Sequence, residues 1–346
     1  MSRVQSHAHD RGTPLPPVAR RPWAVVTTTH ARPTFRHDLV LHDGPEELVR
    51  IAAPFLREGA AAGERTVVLG RPDLVDALLA AVPEVTGALA LREQDHERFA
   101  GRDLHRAQQL LARLDREGTP VRVVNQMPVA TTPEQWHEWR RYEAAANVVL
   151  APYRAWGKCA HDARTLDAGM LEDLRATHAH VEDAHGGGDN ADFDEAGDRT
   201  ASFFDVPAHP VTGAPPALTL VDPSAAEARR AVRDLALRAG LPETAQEAVI
   251  LAASEAVQNA WSHGRPPVLL RAWLDRPGRV TVAVGDTGPG PHPLVGLLPD
   301  PAGGPADRGG MWMVQVLLRD VHHRTGPDGY TVTFAVDSDP VVPPVA

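Results

Sequence analysis

Apolar positions change their period several times along the chain, and the changes outline two α/β segments. Residues 1–33 hold Pro, Arg, Thr and His without an apolar period and read as a disordered tail. From there, short apolar runs alternate with helical stretches. Leu39-Val-Leu41, Thr66-Val-Val-Leu69, Val121-Arg-Val-Val124 and Trp156 to Ala160 read as strands. Pro45 to Glu58 places Leu48, Ile51, Ala52 and Phe55 on one helical face. Pro72 to Val82, Arg102 to Glu117 closed by Gly118, Pro133 to Leu150 and Asp167 to His180 read as further helices. Such alternation over 34–183 predicts a mainly parallel sheet with helices packed on it.

Residues 184–215 lose the pattern: Gly186-Gly-Gly188, several acids and then Pro-rich sequence predict a flexible linker. A second segment spans 216–337. It opens with the strand Ala217 to Val221, and Asp222-Pro223 predicts an N-cap and first-turn proline for a helix that stops at Gly240. A long helix ending at Gly264 and Pro266-Pro267 follows. Val268 to Leu274 and Val280 to Val284 pair around Arg276-Pro-Gly278, and Val321 to Arg324 and Tyr330 to Val336 around Gly326-Pro-Asp-Gly329. Between the hairpins, 291–307 is Pro/Gly-rich and suits a lid, and Met311 to Leu318 is helical. Residues 338–346 are a tail. The fold class expected is therefore α/β, in two domains.

Composition narrows the setting. A chain of 346 residues with 43% hydrophobic content supports two cores. One cysteine, Cys159, excludes an internal disulfide framework and fits a reducing, cytoplasmic compartment. No secretory h-region opens the chain and no run approaches membrane-spanning length. A formal net charge of -10 argues against a general binder of nucleic acid or anionic membrane.

Candidate chemistry lies in the long helix of the second segment. Val249, Ala252, Ala256 and Ala260 form its apolar stripe, and Leu251, Glu255, Asn259 and Ser262 form the stripe beside it. A carboxylate and an amide one turn apart are an unusual pair to set beside a core. The amide offers a neutral oxygen to a hard cation, and the carboxylate accepts a proton or orients a hydroxyl. The strand Val280 to Gly285 ends at Asp286-Thr-Gly288-Pro-Gly290, where glycines let backbone approach a flat ligand and the Asp can accept from an exocyclic amine. Arg308-Gly309-Gly310-Met311 then feeds a helix, the arrangement of a phosphate site.

Together these boxes resemble the ATP-binding fold shared by gyrase, MutL, the histidine kinases and the bacterial anti-sigma serine kinases. Asn259-Ala-Trp-Ser-His263-Gly264 brings the likeness closest to the anti-sigma factor/serine kinase group. The resemblance implies a two-layer α/β sandwich that binds ATP and Mg²⁺. It implies Glu255 as general base, Asn259 as the Mg²⁺ ligand, and Asp286 as acceptor from the adenine amine. Gly288 and Gly290 would approach the base, Gly309 and Gly310 would present amides to phosphate, and Thr331 would reach the adenine side. His263, Arg308 and Met311 complete the cofactor-binding set. The implied activity is a serine/threonine kinase acting on an anti-anti-sigma partner of the STAS type, with a sigma factor and a homodimer as further partners. Two positions depart from the family pattern: Arg308 replaces the first Gly of the second box, and Tyr330 stands where Thr is common. An ATP-gated binding switch without transfer is therefore the alternative. A histidine autokinase would need a dimerising helical hairpin before the ATP domain.

The first segment is similar to the MEDS sensory domain in His37-Asp-Leu-Val-Leu-His-Asp43, Phe55-Leu-Arg-Glu-Gly59, Cys159-Ala-His-Asp162 and Thr177-His-Ala-His180. That likeness implies a small organic ligand. His37, His42, Asn125, His161 and His178 are candidate pocket residues, and His161, His178 and His180 a candidate metal set. Cys159, in an apolar strand, reads as a core residue. Gly157-Lys158-Cys159 lacks the earlier glycine of a P-loop, its place being held by Pro152.

Overall fold

A computed structural model of the chain describes residues 35–94, 100–195, 197–204, 210–291, 296, 310–318 and 320–338. The N-terminal tail, Arg308, Gly309 and most of 291–307 lie outside the described residues.

The first segment runs β1 (Arg36–His42), α1 (Pro45–Ala61), β2 (Arg65–Gly70), α2 (Pro72–Ala81), β3 (Leu89–Arg92), α3 (Ala100–Arg116), β4 (Val121–Gln126), α4 (Pro133–Val149), β5 (Ala155–Asp162), α5 (Ala168–Thr177), β6 (His180–Asp183) and β7 (Gly186–Asp189). The seven strands make one sheet in the order β3-β2-β4-β5-β1-β6-β7. Every neighbouring pair is parallel except β6 with β7. Alternation sorts the side chains. Val40, Val68, Val124 and Ala160 face α1 and α2, while Val67, Val121 and Cys159 face α3 and α4. Both faces are covered, which is why these strands read as continuous apolar runs.

The last helix of this segment is shorter than its sequence predicts. Asp167 caps its start by accepting from Met170 N at 2.8 Å. At the other end, Thr177 Oγ1 donates to Leu174 O at 2.9 Å and the chain turns into β6, where His180 pairs with Asp38. The linker reading also needs correction. Gly186–Asp189 is a strand of three glycines and one aspartate paired with β6, so it leaves no apolar period to read. Beyond it come α6 (Asp198–Ala201) and a turn that buries Phe203 and Phe204 in the core under α4. Full burial of a phenylalanine contributes about 1.5–3 kcal/mol, which anchors this turn to the first core.

The second segment runs β8 (Leu218–Val221), α7 (Ala225–Arg238), α8 (Glu243–His263), β9 (Leu269–Arg276), β10 (Arg279–Asp286), α9 (Gly310–Leu317), β11 (Asp320–Gly326) and β12 (Gly329–Asp337). Its five strands are antiparallel in the order β11-β12-β10-β9-β8. The three helices share one core with Leu270, Ala272, Val282, Val284, Val332 and Phe334 of the sheet, giving two layers. The cap of α7 is Ser224 rather than Asp222: Ser224 and Glu227 form a capping box. Asp222 instead takes a left-handed φ of 52° and accepts from Val268 N at 2.8 Å, tying β8 to the turn after α8.

Candidate functional site

Alanines make the site. Ala245, Ala248, Ala252, Ala253, Ala256 and Ala260 are all buried on α8, so the helix lies close on the sheet. The close fit leaves Glu255 and Asn259 half-buried at the border of the core, one turn apart. Gly310, at the first turn of α9, sits directly against Glu255: a β-carbon there would run into the carboxylate, with Glu255 Cβ at 2.9 Å. The second glycine box thus needs a glycine for space, not for backbone conformation.

Asp286, at the end of β10, is buried and joins two of the sequence boxes. Its Oδ1 accepts from Gly288 N at 2.7 Å and from Arg265 N at 3.1 Å. Thr287 N donates to Arg265 O at 2.9 Å and Thr287 Oγ1 donates to Pro266 O at 3.0 Å. The loop after α8 and the glycine turn after β10 are therefore one hydrogen-bonded unit. Gly264 has no room for a β-carbon because the Asp286 carboxylate occupies that space. At Gly288 a β-carbon would lie 2.7 Å from Asp286 Oδ1 and 3.2 Å from Gly264 Cα. Gly290 has φ 77° and backs onto Thr325 and Tyr330. Thr331 pairs across the sheet with Gly285, next to Asp286. His263 is exposed at the end of α8, and Met311, in the first turn of α9, is buried.

These placements suit a purine nucleotide. A buried carboxylate acceptor stands at a glycine turn, and Glu255, one turn from Asn259, lies against the first turn of α9.

One feature escaped the sequence. The first segment grips the second at α9 and β11. Gly101 of α3 packs on Gln315 of α9, where a β-carbon would lie 2.9 Å from Gln315 O, and the His105 and Trp312 rings meet edge-on at 4.6 Å. Arg141 of α4 donates to Val321 O at 3.5 Å, lies over the Phe204 ring, and is pushed down to about 10 by its burial. Behind it, Gln315 Nε2 donates to His323 Nε2 at 2.6 Å, which leaves His323 Nδ1–H to donate to Tyr330 OH at 2.5 Å. Burial first, then Arg141 and His322, hold His323 neutral, well below the usual histidine range. Burial likewise raises the Tyr330 hydroxyl. Tyr330, read as a departure in the sequence, is thus the end of a polar chain reaching α9. Periodicity gives no signal for it, because each member lies on a different element.

In the first segment, His37, His161 and His178 converge on Glu143 of α4, a residue the sequence reading did not name. His161 Nε2 lies 3.2 Å from Glu143 Oε1 and His37 Nε2 lies 3.2 Å from Oε2. His180 is not with them: it lies 2.9 Å from Asp189 on β7. Asn125 reaches Met127 and Tyr142 instead, and His42 turns to Gly44 N. A cavity of about 400 Å³ opens nearby, at the carboxyl ends of the strands, lined by Thr132, Trp136, Met170, Asp173 and Arg199 among others.

Family comparison divides the chain where the sheets do. Residues 36–179 match the MEthanogen/methylotroph, DcmR Sensory domain, MEDS. Residues 220–336 match the histidine kinase-like ATPase domain. No curated protein matches the chain.

Proposed function

We propose, from a chain built of a MEDS sensory domain followed by a histidine kinase-like ATPase domain, a sensor-controlled protein serine/threonine kinase. Its substrate is an anti-anti-sigma partner of the STAS type, and a sigma factor is a second partner. The observation that carries this reading is Glu255 facing Gly310 at the N-terminus of α9, with Asn259 one turn away. A carboxylate beside a phosphate-binding amide is where an attacking hydroxyl has to be oriented and relieved of its proton.

Each residue then has a stated task. Bound Mg-ATP supplies the phosphoryl group. Asn259 would offer its amide oxygen to the ion, and the amides of Gly309 and Gly310 would serve the phosphates. Both backbone amides that Asp286 holds go to Oδ1, so Oδ2 would be the oxygen left for the adenine amine. Glu255 accepts the proton of the partner's serine. Arg308 would serve as the partner of the terminal phosphate.

A second reading, an ATP-gated binding switch, draws on the grip of α3 and α4 on α9 and β11. Occupancy of the nucleotide site would then alter partner affinity without transfer. A histidine autokinase fits less well, because the described residues between the domains form β7, α6 and short turns in place of paired helices.

The test is incubation of the full chain with Mg²⁺, γ-labelled ATP and STAS-domain proteins, beside Glu255→Ala. Label on a partner serine that disappears in the variant supports the kinase. Tight ATP binding with no label on any partner, alongside nucleotide-dependent partner capture, would favour the switch.

A further inference from the structure

The histidine cluster of the first domain has a composition that hydrogen bonding alone does not explain. Four donors converge from four elements: His37 of β1, Glu143 of α4, Cys159 of β5 and His178 after α5. His37 Nε2 lies 3.1 Å from Cys159 Sγ and 3.2 Å from Glu143 Oε2, and His178 Nε2 lies 3.6 Å from Glu143 Oε2. All four donor atoms are within 4.8 Å of one another, and each residue is at most 6% exposed. A tetrahedral ion with bonds of about 2.0–2.3 Å sets its ligand atoms about 3.3–3.8 Å apart.

The surrounding bonds fix which atoms face inward. Asn147 Nδ2 donates to Thr177 O at 2.7 Å, so its Oδ1 is the acceptor, and His37 Nδ1–H donates to it at 3.0 Å. His178 Nδ1–H donates to Leu174 O at 2.8 Å. Both imidazoles therefore turn Nε2 into the cluster. His178 Nε2 and Glu143 Oε2 have no hydrogen-bond partner within the protein. Glu143 Oε1 is taken by His161. Two imidazole nitrogens, one carboxylate oxygen and one sulfur thus face each other. Burying such a set without a cation is costly.

We propose that His37, Glu143, Cys159 and His178 bind one divalent transition-metal ion of the zinc class in the core of the sensory domain. Thiolate and carboxylate together balance its charge, so the site becomes neutral. Nitrogen and sulfur donors disfavour Mg²⁺ and Ca²⁺. His161 acts on the ion only through Glu143, and Asn147 only through His37.

The site also has a line to the second domain. Glu143 is two residues from Arg141, and the two side chains leave α4 for different partners, the cluster and β11.

The test uses the untagged full chain, stripped of metal under reducing conditions and titrated with Zn²⁺ and then Co²⁺. The expected result is one equivalent bound per chain, with a thiolate-to-cobalt charge-transfer band. Cys159→Ser, close in size, abolishes that band. Asn147→Ala keeps the band but weakens affinity about 10–100-fold. His180→Ala, beside the site on β6, changes neither. Circular dichroism confirms that each variant is folded. Wild type that binds less than one equivalent, or a band that persists in Cys159→Ser, overturns the assignment. So does full binding without any charge-transfer band.

Discussion

Glu255 and Asn259 lie half-buried at the edge of the second core, and Asp286 is buried at the end of β10. Glu255 and Asp286 each press against a glycine that leaves them room, Gly310 and Gly264. Gly264→Ala would force a methyl into the carboxylate that closes the loop after α8. Overpacking of this kind costs about 1–3 kcal/mol. The expected outcome is a lower melting temperature together with weaker ATP binding; a variant that retains both would mean that Asp286 is not fixed by this contact. Asn259→Asp replaces the neutral oxygen proposed to hold Mg²⁺ by a charged one and is expected to weaken or misplace Mg-ATP. Calorimetry and transfer assays check it, and unchanged values in both would remove Asn259 from the metal site. Gly264 and Asp286 lie on different elements, so the spacing that marks the boxes does not reveal that one exists to accommodate the other.

At the scale of elements, α9 is held on two sides. α8 places Glu255 under its first turn, and α3 and β11 hold its remaining length. The polar chain Gln315–His323–Tyr330 makes this contact sensitive to pH. The groups facing His323 are Arg141 of α4, His322 of β11, Tyr330 of β12 and Gln315 of α9. His323 is depressed well below its ordinary value of 6.5. As pH falls through that value the unfolded chain takes up a proton that the folded chain refuses. Its contribution to stability is full above the unfolded pKa and is lost below it, by at most about 1.4 kcal/mol per pH unit. His178 and His42 are depressed as well, chiefly by burial, and act in the same direction. The informative quantity is therefore the difference between wild type and His323→Gln. Urea unfolding from neutral to mildly acidic pH is expected to show a shallower loss of stability in the variant, and equal slopes would place the proton elsewhere.

For the whole molecule, the second domain does not stand apart from the first. Arg141 crosses from α4 to β11, and its buried guanidinium lacks hydrogen-bond partners at Nε and Nη2. An interface with a partly satisfied charge is easily shifted, which suits a contact meant to change state. Mg-ATP is expected to slow amide exchange in α9 and also in α3 and α4, which lie in the other domain. Protection confined to the second domain would show that nucleotide is not felt across the contact. Arg141→Gln is expected to reduce the response in α3 and α4 while leaving ATP affinity within a few-fold, since Arg141 is outside the nucleotide wall.

The sequence by itself determined the two α/β halves, the order of most strands and helices, and the three boxes of the ATPase domain. Each of these is local: a period of two or 3.6, a glycine at a strand end, an amide four residues from a carboxylate. It could not determine β6 and β7, four-residue strands without an apolar period, nor the cap of α7, where Ser224 outdid Asp222 once Val268 claimed the latter. Tertiary structure alone decided that Cys159, read as a core residue, stands with His37, Glu143 and His178, and that His180 does not. It alone brought Arg141 to β11. In both cases the residues come from elements far apart in the chain, and only the packing of those elements sets the distance between their side chains.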